Sequence, residues 1–135
     1  MHWNGSKYAG FKDGEPWMKI NDNYTEINAE NQIDDENSVY NFYKKAISIR
    51  KQYADIISKG EFIPVGEESK EVFAFIRKLD DKKLLIVCSL SPNETVFDMN
   101  ENVDNAKLVL TNCKDIEELS NSITLPACAC AVWEI

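Results

Sequence analysis

From Gly60 onward, short runs of β-branched and aromatic residues alternate with polar breaks, the period-2 pattern of half-buried strands. The spacing predicts strands near Glu61–Val65, Val72–Leu79, Lys83–Leu90, Thr95–Asp98, Lys107–Thr111, Ser122–Leu125 and Cys128–Ile135. Asp80-Asp81 between the second and third reads as a tight hairpin turn, and Ser91-Pro92-Asn93 ends the next strand. Ahead of this region the period changes to that of a helix over residues 36 to about 54. Val39, Phe42, Tyr43, Ala46, Ile47 and Tyr53 fall on one stripe, with Ile49 off it. Asp35 is the expected N-cap, Glu36 belongs to the first turn, and Lys44, Lys45, Arg50 and Lys51 suit the negative end of the helix dipole. Residues 1–35 show neither period and read as loop, punctuated by Gly5, Gly10, Gly14 and Pro16. That loop nonetheless carries Trp3, Tyr8, Phe11, Trp17 and Tyr24, too many aromatics for a disordered linker, so it packs against something. The pattern predicts a mainly β protein, an antiparallel β-sandwich or partial barrel preceded by an aromatic-rich loop and one amphipathic helix.

A length of 135 residues suits one domain, or one small domain with an appendage. The net charge of −8, with lysines and arginines dispersed, argues against nucleic acid as a partner. The apolar runs are too short to span a bilayer, and the first residues show no charged-then-apolar leader. The expected location is therefore the cytoplasm, with no membrane partner. Four cysteines raise the question of a metal or a disulfide. Structural zinc sites favour Cys-x2-4-Cys pairs, whereas the one close pair here is Cys128-x-Cys130 and the one histidine is His2. The favoured reading is four small apolar residues in the core, with Cys128 and Cys130 on one face of the last strand. No metal and no cofactor is expected.

Asp34, Asp35 and Glu36 form the densest acidic cluster, and acid–base catalysis is one reading of it. A helix start with solvated charge is the simpler one, because an acid catalyst needs a pocket that keeps one carboxyl neutral. With His2 in a terminal loop, no Ser-His-Asp or Cys-His group is assembled. Gly10 to Gly14 lacks the Gly-Lys-Ser/Thr run of a phosphate loop. Trp133 belongs to the core or a sheet edge.

Several motifs in order carry a family resemblance. Met1-His2-Trp3-Asn4, Ala9-Gly10-Phe11, Pro16-Trp17, Asn23-Tyr24 and Ile27-Asn28 resemble the pattern Met-Gln-Trp-Asp, Ala-Gly-Phe, Pro-Trp, Asn-Tyr, Ile-Asn of oligo-1,6-glucosidases. These are bacterial α-glucosidases of the α-amylase superfamily. Ser38-Val39, Phe42-Tyr43-Lys44-Lys45 and Ile49-Arg50-Lys51 resemble the family's last barrel helix. Gly60-Glu61-Phe62 and Val72 to Arg77 resemble the opening strands of its C-terminal β domain. The resemblance is strong to about residue 90, and beyond it rests on strand pattern and Val132-Trp133-Glu134-Ile135. It implies that residues 1–59 are the end of a (β/α)8 barrel and residues 60–135 a C-terminal β-sandwich. The family's catalytic carboxylates lie on earlier barrel strands, and the motifs around them are not in this sequence. The chain would then be the non-catalytic C-terminal portion of an enzyme that hydrolyses α-glucosidic bonds in oligosaccharides, with no catalytic residue of its own. His2, Trp3, Asn4 and Trp17 would lie near the substrate entrance, His2 standing where the family has Gln and Asn4 where it has Asp. The two tryptophans either stack on sugar or pin the loop to the barrel. The family spans isomaltose, sucrose, trehalose phosphate and dextrans, and the two departures bear on that choice. The expected partners are the catalytic barrel, a second copy of the chain through the helix face or N-terminal loop, and, in an alternative reading as a carbohydrate-binding module, an α-glucan.

Overall fold

Asn28 starts the first regular element. Its backbone is extended, and its side-chain oxygen accepts from the Asn31 amide at 2.9 Å, which caps α1 (Ala29–Ile33). The computed structural model describes residues 1–11, 14, 16–99, 103, 105–114, 116 and 118–135. They form two compact units, Met1–Ser48 and Ile49–Ile135.

In the first unit, the expected loop over 1–35 contains α1 and a turn at Lys7–Gly10, where Tyr8 and Ala9 take left-handed φ angles of 62° and 54°. A helix of five residues is too short to display a 3.6 period, so the hydrophobic pattern gave no sign of it. Its carbonyl end is closed from a distance. The Asn41 side-chain amide donates to Gln32 O at 3.0 Å, Ile33 O at 2.9 Å and Asp35 O at 2.9 Å, and Ser38 Oγ donates to Gln32 O at 2.8 Å.

The long helix α2 runs Val39–Gln52, later than the expected start. Ser38, not Asp35, caps it: the Asn41 amide donates to Ser38 Oγ at 3.2 Å, three residues on. Asp35 instead closes the preceding turn, its carboxylate accepting from the Asn37 amide at 2.9 Å, so Glu36 lies ahead of the helix. The chain breaks at Tyr53 and resumes as α3 (Ala54–Lys59). The expected single stripe divides. Val39, Tyr43 and Ile47 are exposed, whereas Phe42, Ala46, Ile49 and Tyr53 are half-buried. The steps of four, three and four place Ile49 on the sheltered line rather than off the stripe.

In the second unit the strands are β1 (Glu61–Val65), β2 (Val72–Leu79), β3 (Lys82–Ser89), β4 (Thr95–Asp98), β5 (Lys107–Thr111), β6 (Ser122–Leu125) and β7 (Cys130–Glu134). They form an antiparallel sheet in the order β1-β2-β3-β7-β5 and a second pair β4-β6. Asp80-Asp81 makes the two-residue turn between β2 and β3, with Asp80 at φ 53°. Val72, Ala74, Ile76, Leu85, Val87, Ala131 and Trp133 of the large sheet pack with Phe97, Ile123 and Leu125 of the small one, which is the core of a β-sandwich. Trp133, 2% exposed, lies in it as expected. Gly66 turns the chain after β1 at φ 62°, and a Cβ there would meet Phe97 Cε2 at 2.5 Å, so only glycine fits beneath that ring. Tyr53 Oη donates to Glu134 Oε2 at 2.9 Å, and Arg77 Nη2 to Ile57 O at 2.8 Å, tying α3 and its leading residue to the sheet.

Only Cys113 packs against the core, where all four cysteines were expected. Cys88, Cys113 and Cys130 are half-buried, and Cys128 is exposed. Cys128 lies ahead of β7 at φ 53°, so it does not share a strand face with Cys130. No helix among the described residues is long and apolar enough to cross a membrane.

Candidate functional site

The resemblance points to the first residues of the chain, and there the backbone is held by a closed set of bonds. Trp3 N donates to Ala9 O at 2.9 Å, Ala9 N to Ser6 O at 2.9 Å and Phe11 N to Tyr8 O at 3.1 Å. Asn4 Oδ1 accepts from the Ser6 amide at 3.0 Å and Ser6 Oγ at 2.6 Å. Gly10, at φ 77°, leaves room for that amide, because a Cβ there would fall 2.8 Å from Asn4 Oδ1. The loop is joined to α1 at the helix N-terminus: Ala29 N donates to His2 O at 2.9 Å and Glu30 N to Trp3 O at 3.0 Å. These bonds satisfy two amides that a helix start always leaves unpaired.

His2 is positioned by the same strap. Its Nδ1 donates to Ile27 O at 3.3 Å, and its ring meets Tyr24 edge-on at a centroid distance of 6.2 Å. Beside it an open cleft of about 390 Å³ is lined by Met1, Trp3, Asn4, Ala29, Glu30, Ile33, Asp34 and Tyr40. Trp3, 52% exposed, gives an aromatic face, while Glu30, Asp34 and Asn4 contribute polar groups. Two of the four residues singled out from the sequence, Trp3 and Asn4, thus line one cleft, with His2 adjoining through the strap. Trp17, 94% exposed, is not among its walls.

The carboxylates at this cleft are the exposed Glu30 and Asp34. A retaining glycosidase sets a nucleophilic carboxylate about 5–5.5 Å from an acid held protonated by its surroundings. Glu30 and Asp34 are four apart along α1 and its cap, yet both are exposed to solvent. No Asp or Glu among the described residues is buried; the buried polar residues are Asn28, Ser38, Ser89, Ser91 and Thr95. Asp35 and Glu36 are exposed too. A larger cleft of about 750 Å³ in the sandwich, walled by Val103, Ala106, Leu108, Ile116 and Trp133 among others, has Glu118 as its one carboxylate among the described residues, also exposed. The described residues contain no group of three His, Cys, Asp or Glu able to hold a metal ion.

Sequence reasoning missed Asn28 and Asn41. Asn28 is 3% exposed and its amide nitrogen donates to Tyr24 O at 2.9 Å, while its oxygen caps α1. A signal existed for Asn28, since Asn with an acidic residue two positions on, in the first turn, is an N-cap pattern. None existed for Asn41, whose three acceptors lie six to nine residues back.

The family profile for the α-amylase catalytic domain matches residues 1–60. A probable oligo-1,6-glucosidase of Bacillus subtilis (strain 168) is 43% identical over 114 residues, covering 83% of this chain and 20% of that protein. An α-glucosidase of Schizosaccharomyces pombe is 35% identical over 127 residues, covering 93% of this chain and 22% of that protein. Among solved structures, a trehalose-6-phosphate hydrolase of Bacillus licheniformis superposes with a TM-score of 0.88 at 34% identity, over 98% of this chain and 24% of that one. The chain spans about a fifth of the length of the curated relatives it matches.

Proposed function

The chain belongs to the α-amylase superfamily, in the group of oligo-1,6-glucosidases and α-glucosidases, and from that premise we propose that it is the non-catalytic C-terminal portion of an enzyme hydrolysing α-glucosidic bonds in oligosaccharides. In this reading residues 1–59 complete a (β/α)8 barrel with its closing loop and last helix, and residues 60–135 form the sandwich that braces it. The reacting carboxylates belong to the barrel, which is the partner. One observation carries the proposal: residues 1–60 match a catalytic domain, yet no described carboxylate is buried where an acid catalyst could be kept neutral. The open stripe Val39, Tyr43 and Ile47 supports the barrel as partner, since a last barrel helix needs an apolar face for its neighbours. Four free cysteines suit the reducing cytoplasm.

A second reading, a sugar-binding surface, is favoured by the exposed Trp3 face beside Asn4, Glu30 and Asp34. The experiment treats both. The purified chain is given p-nitrophenyl α-glucoside and, separately, titrated with maltose and isomaltose while tryptophan emission is followed. No p-nitrophenol release is expected, and turnover abolished by Glu30→Gln or Asp34→Asn would overturn the non-catalytic role. An emission change at millimolar sugar that Trp3→Ala removes would establish the binding surface in its place.

A further inference from the structure

The outer face of the five-stranded sheet carries two thiols in contact. The register of β3 and β7 sets Cys88 opposite Cys130, and their sulfurs lie 2.8 Å apart. The ladder defines the kind of pair. Ser89 N donates to Ala129 O at 2.7 Å and Ile135 N to Lys83 O at 3.2 Å, so residues 89/129 and 83/135 are hydrogen-bonded pairs. Alternation along an antiparallel ladder makes 88/130 a non-hydrogen-bonded pair, in which Cα atoms approach to about 4.5 Å and side chains converge. That spacing falls at the short end of the range a disulfide accepts.

Both residues are half-buried, so a small solute reaches them. The proton between them is unequally held. The two sulfurs share one hydrogen bond in which either thiol can donate, and it draws Cys130 down to about 7 against the opposing effect of burial. Cys88 is pushed up by the same bond, then by burial and by the charge on Cys130. A thiolate at neutral pH beside a proton-bearing thiol is a nucleophile with its resolving partner in place. Of the other two cysteines, Cys113 packs against the sandwich core, donates to Asn112 Oδ1 at 3.3 Å and also feels the backbone and charge of Cys130, while Cys128 donates to Ser91 O at 3.6 Å.

We propose that Cys88 and Cys130 are a reversible dithiol–disulfide pair that closes on exposure to hydroperoxides. The Cys130 sulfur attacks the terminal peroxide oxygen and the O–O bond breaks; the sulfur becomes a sulfenic acid, and the departing hydroxide or alkoxide takes up a proton to form water or an alcohol. The Cys88 sulfur then displaces the sulfenic hydroxyl, which leaves as water with the Cys88 proton as the S–S bond forms. Two thiols are oxidised by two electrons in all, and one peroxide is reduced. Two equivalents of a small thiol reverse the step by exchange. Closure staples β7 to the middle of the sheet across a separation of 42 residues.

The full chain, reduced and then treated with stoichiometric hydrogen peroxide, is blocked with N-ethylmaleimide and weighed intact. Two of its four cysteines are expected to escape alkylation. Before blocking the chain should be lighter by about 2 Da, and a non-reduced digest should join the peptides of Cys88 and Cys130. Dithiothreitol restores all four thiols. The double variant Cys113→Ser/Cys128→Ser keeps the pair and should lose every free thiol. Cys88→Ser should instead accumulate a sulfenic acid on Cys130 that dimedone captures. Four alkylated thiols after peroxide, a bridge through Cys113 or Cys128, or links between chains would each overturn the proposal.

Discussion

Replacing Val39, Tyr43 and Ile47 together by glutamine removes the open apolar stripe of α2 and leaves the helix in place. The three side chains are 65%, 65% and 53% exposed. Fully burying a side chain of this kind is worth about 1.5–3 kcal/mol, so covering the open parts on one chain yields on the order of 3–5 kcal/mol. A two-fold contact between identical stripes yields roughly twice that. Bringing two chains together costs at least about 4 kcal/mol, which leaves ~2–6 kcal/mol and a weak dimer whose dissociation constant is ~1 mM at the middle of that range when no barrel is present. Sedimentation velocity from ~10 μM to ~1 mM reaches that value. The wild-type chain should shift toward dimer across these concentrations, and the triple variant should stay monomeric throughout. Its unfolding free energy in urea should change by less than ~1 kcal/mol, because glutamine forms helix at least as well as the residues it replaces. A wild-type chain that remains monomeric at ~1 mM would refute the stripe as an association surface. So would a variant destabilised by more than ~2 kcal/mol, since the stripe would then be part of the chain's own core.

Two further outcomes test the packing and the electrostatics. Gly66→Ala should cost ~2–4 kcal/mol in urea: ~1 from the left-handed backbone, and the rest from the clash with Phe97. In a Phe97→Ala background the cost should fall to ~1 kcal/mol, and an unchanged cost would show that the ring is not what the methyl meets. Tyr53 is held above its ordinary value of 10.0 by burial, then by its hydrogen bond to Glu134 and that carboxylate's charge. The folded chain then keeps a proton that the unfolded chain releases, so this stabilisation is complete below about pH 10 and is lost as pH rises through the raised value. Between about pH 9 and pH 11 the wild type should lose more unfolding free energy than Tyr53→Phe; equal losses would show that the contact contributes nothing.

Local signals carried much of the architecture. The β2 strand alternates Val72, Ala74 and Ile76 inward with Phe73, Phe75 and Arg77 outward, a period readable without knowing its partner. The bounds of β1, β2, β4, β5 and β6 follow the pattern residue for residue, and the Asp80-Asp81 turn follows from the polar break between two apolar runs. The family motifs were legible for the same reason, being short and contiguous, and two of the residues they singled out, Trp3 and Asn4, line one cleft.

What tertiary structure decided involves groups distant along the chain. Helix α1 exists because Asn28 closes one end and Asn41 the other, and the second is eight residues past its last turn. Ser38 displaced Asp35 as the cap of α2 because Asp35 was already engaged in the turn that links the two helices. A hydrophobic stripe reports that a helix is buried on one side but not which side its own chain covers, and here Val39, Tyr43 and Ile47 were left open. The Cys88–Cys130 contact depends on β7 pairing beside β3, with three strands of the described chain between them in sequence but none in the sheet. A sequence pattern records the period of each segment; which strand lies next to which is settled by the packing that buries Trp133, Phe97 and Leu125 together.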